Sequence, residues 1–422
     1  MDTRDHQVFD EQVLANGINT YVYSEQSRYS IASITVPVGS ASSFGTYLPG
    51  TFHFLEHLLY NRSQAYPKLN EYRKLTGLKG GSFNASTYPL YTRYFLSCPS
   101  EHFAELWKGL FSAVFQPHFV ERDFQIERGT IISERRKKER WFPGSTELGR
   151  YVDTEWLYDI PLSLEQRLGS DDNLASMNKD MMERAHAGRY FIPGITLVAA
   201  GSANFQPLMN SLAQLDINKA SPPTRYEALR WENQQYHTHS FRDINRHVLR
   251  LGGIVAAKPD YLRSRGRTFI LEYLTNSTHG SLFTWLREDL GWVYEMGYST
   301  MRTVDSQSLW TLRFPLANQQ QVETVRREYH ERIASALRDQ SAVDAEVDRI
   351  KSLFQAYSYS LLGQVVDDAH STLEQRGKIL SEHAYLNYLE KYRDTSFLHD
   401  VWAEASDPTA MGSFCAMPIT TS

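Results

Sequence analysis

A chain of 422 residues is too long for one ordinary hydrophobic core, so two large domains or several small ones are expected. Its 41% hydrophobic and 13% aromatic content suits a globular chain with a sizeable interior, and a net charge of -5 from 44 basic and 49 acidic side chains argues against nucleic acid as a partner. The polar start MDTRDHQVFDEQ reads as neither a signal nor a transit peptide, and no apolar run approaches the roughly 18 residues of a membrane span. The two cysteines, Cys98 and Cys415, offer neither a disulfide framework nor a thiolate metal site, so a cytoplasmic chain is the expectation.

In chain order, SIASITVPV (Ser30 to Val38) is β-branched and partly alternating, which predicts a strand. After a polar Gly/Ser loop, the stretch GTFHFLEHLLY predicts a helix running to about Asn61. A second helix is expected to start near Pro67, since proline fits a first turn. Strands follow around Ser82 to Ala85 and Tyr91 to Cys98. Ser100 has the look of an N-cap ahead of Phe103, Leu106, Leu110 and Val114, which recur at helical spacing.

A long charged helix is expected over Glu121 to Trp141, its run Arg135 to Lys138 reading as a solvated face, and a strand over Ile195 to Ala200. From Asn218 to about Ser240 the chain is polar and proline-bearing, which marks an interdomain linker. Beyond it the order repeats: a strand over His247 to Ala256, helices from Ser264 and Gly280, then strands. The expectation is therefore an α+β fold of two similar halves, with a first domain over 1–220, a linker over 221–240 and a second domain over 241–422.

Within GTFHFLEHLLY, His53, Glu56 and His57 form the pattern H-x-x-E-H. At about 100° per residue these three side chains share roughly a third of a helix circumference. A helix that buried three titratable groups without partners would be penalised by several kcal/mol. Imidazoles at i and i+4 can share one zinc ion, with the intervening glutamate placed as a general base, and this inverted order is the inverzincin signature. The plainer reading is a helix that packs its histidines against a core. A catalytic zinc takes three protein ligands and keeps one position open. Glu127 and Glu134, two turns apart on one helix face, are candidates for the third, although an ordinary glutamate is solvent-facing.

These residues resemble the pitrilysin family of zinc metallopeptidases. There the inverted motif is followed by two glutamates at fixed distances, and here 69 residues lie between His57 and Glu127, six between Glu127 and Glu134, and 76 between His57 and Glu134, without a gap. The resemblance implies that His53, His57 and Glu134 bind Zn2+, that Glu56 is the catalytic base, and that Glu127 is a supporting carboxylate orienting the ligands. Gly80 to Thr87, GGSFNAST, is similar to the family's G-G-x-x-N-A-x-T edge strand, where substrate backbone pairs beside the positions of Asn84 and Ala85. LREDLGWVY, Leu286 to Tyr294, is similar to the family's L-R-x-x-x-G-x-x-Y, which implies that Arg287 and Tyr294 reach the substrate from the second domain, the tyrosine stabilising the oxyanion. Tyr190 to Pro193 also matches, so the likeness runs from about residue 8 to residue 400.

Two departures stand out. The family's Gly-Thr pair after the helix is replaced by Tyr60-Asn61-Arg62-Ser63, and Asn276 to Ser281 lacks the glycine-rich run of the non-catalytic mitochondrial partner subunits. By resemblance the fold is two homologous α+β domains, each a mainly antiparallel sheet flanked by helices. The implied function is a zinc-dependent endopeptidase for short or unfolded peptides in a closed chamber, with the processing of a precursor or leader peptide as one such task. Members of this length usually pair, so a homodimer or a heterodimer with a related subunit is expected, with no nucleic-acid or membrane partner. The alternative is a peptide-binding subunit that needs a partner for activity.

Overall fold

A computed structural model describes residues 9–24, 26–43, 45–88, 90–141, 167–218, 236–241, 244–255, 261–302, 308–356, 382–408 and 411–419. In the first half, β1 (Asp10–Val13), β2 (Asn19–Ser24), β3 (Tyr29–Val36), β4 (Ser82–Thr87), β5 (Thr92–Pro99) and β6 (Thr196–Gly201) form one sheet in the order β1-β2-β6-β3-β5-β4. Only β2 and β6 run parallel; the other neighbours are antiparallel. Its helices are α1 (Thr51–Leu59), α2 (Glu71–Leu78), α3 (Phe103–Phe115), α4 (Glu121–Trp141), α5 (Asp171–Ser176), α6 (Lys179–Arg189) and α7 (Gln206–Ala213).

Alternation along the strands sets two faces. Ala32, Ile34, Tyr94, Leu96, Leu197 and Ala199 meet Phe54, Leu55, Leu106, Leu110 and Val114 of the helices in the main core. Ile31, Val198 and Ala200 pack with Phe9 and Tyr23 in a second, smaller cluster.

The second half repeats this plan. β7 (His237–Phe241), β8 (His247–Val255), β9 (Gly297–Arg302), β10 (Ser308–Leu316) and β11 (Met411–Pro418) lie in the order β7-β11-β8-β10-β9. Strand for strand that is the first sheet without β1, including one parallel pair at the same place, β7 with β11. Between strands come α8 (Tyr261–Thr275), a helical turn Ser281–Phe283 leading into a π-helical segment Thr284–Asp289, α9 (Gln319–Arg338), α10 (Gln340–Ala356), α11 (Glu382–Lys391) and α12 (Thr395–Ala405). Leu249, Leu251, Trp310, Leu312 and Phe314 of the sheet bury against Val322, Ile333, Leu398 and Trp402 of the helices. Among the described residues no helix is long and apolar enough to cross a membrane. Cys98 and Cys415 are both free and buried.

Three expectations need correction. α2 begins at Glu71 rather than near Pro67, because the chain first turns through Asn70 at φ 57, and the Glu71 carboxylate accepts from the Lys68 N–H at 3.1 Å. Ser100 is not a helix cap: its hydroxyl pairs with Ser30 Oγ at 2.8 Å and donates to the Ser27 carbonyl at 3.2 Å, tying two loops together, and α3 starts at Phe103 after a short 3-10 turn. The stretch read as linker up to Ser240 contains β7, whose backbone pairs with β11 in the second sheet; residues 219–235 of that stretch lie outside the described residues. At Asn276 to Ser281, where a glycine run is absent, the His279 ring bonds the fully buried Glu346 carboxylate at 2.7 Å.

Candidate functional site

α1 is aimed by the residue that precedes it and by its apolar face. Gly50 sits at φ 90, and a Cβ there would lie 2.6 Å from the Gly169 backbone nitrogen, so only glycine lets the incoming chain pass that close. Phe52, Phe54, Leu55, Leu58 and Leu59 are buried on one side of the helix. Phe54 stacks on Phe124 of α4 with ring centroids 4.7 Å apart and planes 10° from parallel. That crossing brings the carboxylates of α4 over the face of α1 that carries the histidines.

The His53 and His57 rings lie edge to face at 4.7 Å. His57 Nε2 is 3.5 Å and His53 Nε2 is 3.7 Å from Glu134 Oε2. A tetrahedral zinc with bonds near 2.0–2.1 Å needs its ligand atoms about 3.3 Å apart, so this donor set fits such an ion with small adjustments. Two imidazoles and one carboxylate, each able to give one atom within 4.8 Å of the others, form this group among the described residues.

Glu127, about two turns of α4 before Glu134, takes a different position. Its Oε2 lies 3.2 Å from His57 Nδ1, and its Oε1 accepts from Asn61 Nδ2 at 3.3 Å. A carboxylate on Nδ1 selects the tautomer that leaves Nε2 for a metal. Burial works against charging His57, yet the hydrogen bonds to Glu127 and Glu134 and the charge of Glu56 outweigh it and hold its pKa at about 9. A divalent cation would replace the proton that these carboxylates keep on the ring.

Glu56 is 9% exposed. Burial pushes its carboxyl above the usual range, against the hydrogen bond that the Thr87 hydroxyl donates to Oε2 at 2.5 Å. A carboxyl raised toward neutrality can both take and return a proton. Thr87 closes β4, and β4 is an edge strand of the first sheet. On it Asn84 is exposed and Ala85 buried; Asn84 Oδ1 accepts from the Ala85 N–H at 2.9 Å, and the Asn84 carbonyl accepts from the Tyr60 hydroxyl at 2.9 Å.

The segment that departs from the Gly-Thr pattern thus has work to do. Tyr60 reaches β4, Asn61 reaches Glu127, and Arg62 Nε meets the buried Asp123 carboxylate at 2.5 Å while its Nη1 donates to the Pro67 carbonyl. Sequence reasoning assigned no role to Thr87 or Asn61. Thr87 could have been found as the last residue of GGSFNAST, whereas the partner of Asn61 lies on another helix and spacing gives no signal for it.

Arg287 and Tyr294 sit together in the second half. Arg287 Nη1 donates to the Tyr294 carbonyl, and its guanidinium lies 4.6 Å from the Tyr294 ring centroid. Among the described residues no hydrogen bond, ion pair or ring contact joins either of them to the histidine–glutamate cluster. Tyr294 is 76% exposed.

Residues 20–142, which hold α1, β4 and α4, match the family model described as Insulinase (Peptidase family M16). This segment is similar to the insulin-degrading enzyme of Drosophila melanogaster, 40% identical over 94 residues that make up 22% of this chain and 9% of that protein. The match therefore covers only a small part of that relative's length. Over the whole chain the fold is like that of a protease from Helicobacter pylori, with a TM-score of 0.72 and 17% identity across 98% of this chain and 100% of the other. It is equally like an M16 peptidase inactive domain from Pseudomonas fluorescens, with a TM-score of 0.74 and 14% identity over 98% of each chain.

Proposed function

We propose that this protein is a zinc-dependent endopeptidase that hydrolyses short or unfolded peptides. The observation that carries this reading is the convergence of His53 Nε2, His57 Nε2 and Glu134 Oε2 beside a buried Glu56 whose carboxyl burial pushes above its usual range. His53, His57 and Glu134 would hold the ion, and Glu127 would keep the His57 ring turned toward it. When bound, zinc supplies a Lewis acid for a peptide carbonyl and makes water more acidic.

Glu56 takes the proton from the attacking water and returns it to the leaving amine, with Thr87 fixing one of its carboxylate oxygens. An extended peptide adds to the open side of β4, so that its backbone runs past Asn84 and Ala85 toward Glu56. Arg287 and Tyr294 join from a second domain, within this chain or from a paired copy or related subunit, and the pairing would enclose a chamber that admits peptides and excludes folded proteins. Precursor or leader processing is a natural task for such a chamber. Two free, buried cysteines suit the cytoplasm we assign it to.

The test is metal content and peptide cleavage on one homogeneous preparation, with and without a chelator. About one zinc per chain and cleavage abolished by chelation are expected; a chain without zinc refutes the reading. Zinc and peptide binding without cleavage would favour the second reading, a peptide-binding subunit, for which the likeness to an inactive M16 domain is the motivating observation.

A further inference from the structure

A cavity of about 660 Å³ lies in the second half, beside Arg287 and Tyr294. Asn245 and Arg246, just before β8, form one wall; Trp292 and Tyr294 form another, and Gln321 from the first turn of α9 closes it. Its lining offers hydrogen-bond donors on Asn245, Arg246, Arg287, Trp292, Tyr294 and Gln321. The Gln321 amide oxygen is already taken by the Ala317 N–H at 2.8 Å, which leaves its NH2 group for the cavity. Arg287 spends Nη1 on the Tyr294 carbonyl, and its guanidinium carbon lies 4.6 Å from the Tyr294 ring centroid and 5.6 Å from that of Phe283, so the fork is held with other N–H groups to spare.

The loop that brings Arg287 and Tyr294 together is itself locked. Gly291 at φ 65 turns the chain back, its N–H bonding the Arg287 carbonyl at 3.1 Å, and the Trp292 N–H bonds the Leu286 carbonyl at 2.8 Å. Among the described residues no aspartate or glutamate lines the cavity. The nearby Glu295 is drawn off by Arg313 at 3.1 Å.

We infer that this cavity is a carboxylate subsite, in which Arg246 and Arg287 together hold a negatively charged group of a bound peptide. The inference rests on the reading of Arg287 and Tyr294 as groups that face the peptide. Two guanidinium forks, an amide donor and flanking aromatic rings suit a planar, singly charged acceptor held by two donors. Its source is either the peptide's C-terminal carboxylate or an aspartate or glutamate side chain. The whole chain is acidic, so a local pair of arginines without acidic lining is a specific feature rather than a general basic surface.

Three fluorescent probes test it on the full chain carrying Glu56→Gln, which prevents their consumption: pentaalanine with a free C-terminus, its C-terminal amide, and the amide with one alanine replaced by glutamate. Dissociation constants are read by polarisation at low and high salt. At least one charged probe should bind about tenfold tighter than the plain amide, with the preference shrinking as salt rises. Preference for the free acid assigns C-terminal capture, and preference for the glutamate probe assigns a side chain.

Adding Arg246→Gln should bring the ratio close to one, while Arg246→Lys, which keeps the charge but loses the fork, should retain only part of it. Equal affinity for all three probes, or a preference that survives Arg246→Gln, overturns the inference. Because the readout is binding, failure of the pocket is separate from failure of the peptidase reading, which shows as absent cleavage by the zinc-loaded parent.

Discussion

Removing Glu127 should loosen the metal without touching a ligand. In the structure its Oε2 holds His57 Nδ1 at 3.2 Å, its Oε1 is steadied by Asn61 Nδ2 at 3.3 Å, and the carboxylate is 17% exposed. Partners of this kind, one bond beyond the ligands, are worth roughly 10- to 100-fold in metal affinity, or about 1.4–2.7 kcal/mol. Glu127→Ala removes both the hydrogen bond and the charge and should lie toward the upper end of that range. Glu127→Gln keeps an oxygen able to accept from Nδ1–H, so it should fall near the lower end.

Asn61→Ala removes one hydrogen bond at 3.3 Å from the carboxylate that orients the ring, and a loss of a few-fold is expected. The assay is competition of the metal-free chain against a chromophoric chelator, with circular dichroism to establish that each variant is folded. Zinc affinities within twofold of the parent for Glu127→Ala would refute the positioning argument, and a loss for Asn61→Ala equal to that for Glu127→Ala would show that the carboxylate cannot act without it.

Other outcomes follow from the same geometry. Glu56→Gln should keep its zinc and lose about 10²- to 10⁴-fold in peptide turnover, measured with a quenched fluorescent peptide; near-parental turnover would remove Glu56 as the base. Arg62→Leu strands the Asp123 carboxylate, which is 2% exposed, and should destabilise the first half by about 2–3 kcal/mol in denaturant titration; no change would mean that solvent already screens the pair.

His186, buried in α6 with Nε2 bonding the Val114 carbonyl at 2.8 Å, has its pKa pushed down to about 4 by burial. The unfolded chain binds this proton below its ordinary value of about 6.5, while the folded chain refuses it until about 4. Stability should therefore fall as pH drops through that window, by about 3 kcal/mol from this group, and His186→Gln should flatten the slope relative to the parent. An unchanged slope would place the proton elsewhere.

Much of this molecule is written locally. The period of GTFHFLEHLLY places His53, Glu56 and His57 on one side of α1 because helix geometry is a property of the segment alone. The same holds for Glu127 and Glu134, two turns apart on α4, whose bounds coincide with those expected from its charged run. Strand positions were legible from β-branched runs, and the doubling of the α+β order showed in the chain before the two sheets repeated it strand for strand.

What only the tertiary structure decides is which atoms meet. The Phe54–Phe124 stack sets how α1 crosses α4, and that crossing gives Glu134 both Nε2 atoms and Glu127 the Nδ1 atom of His57. Sheet order makes β4 an edge and brings Thr87 to Glu56, 31 residues away. Ser100 shows the converse: a residue suited to capping a helix was claimed by Ser30 and Ser27, because a hydroxyl bonds whatever the folded chain brings nearest. Spacing along a helix is fixed by local geometry, but contacts between elements depend on packing among residues far apart in sequence, and no local pattern encodes them.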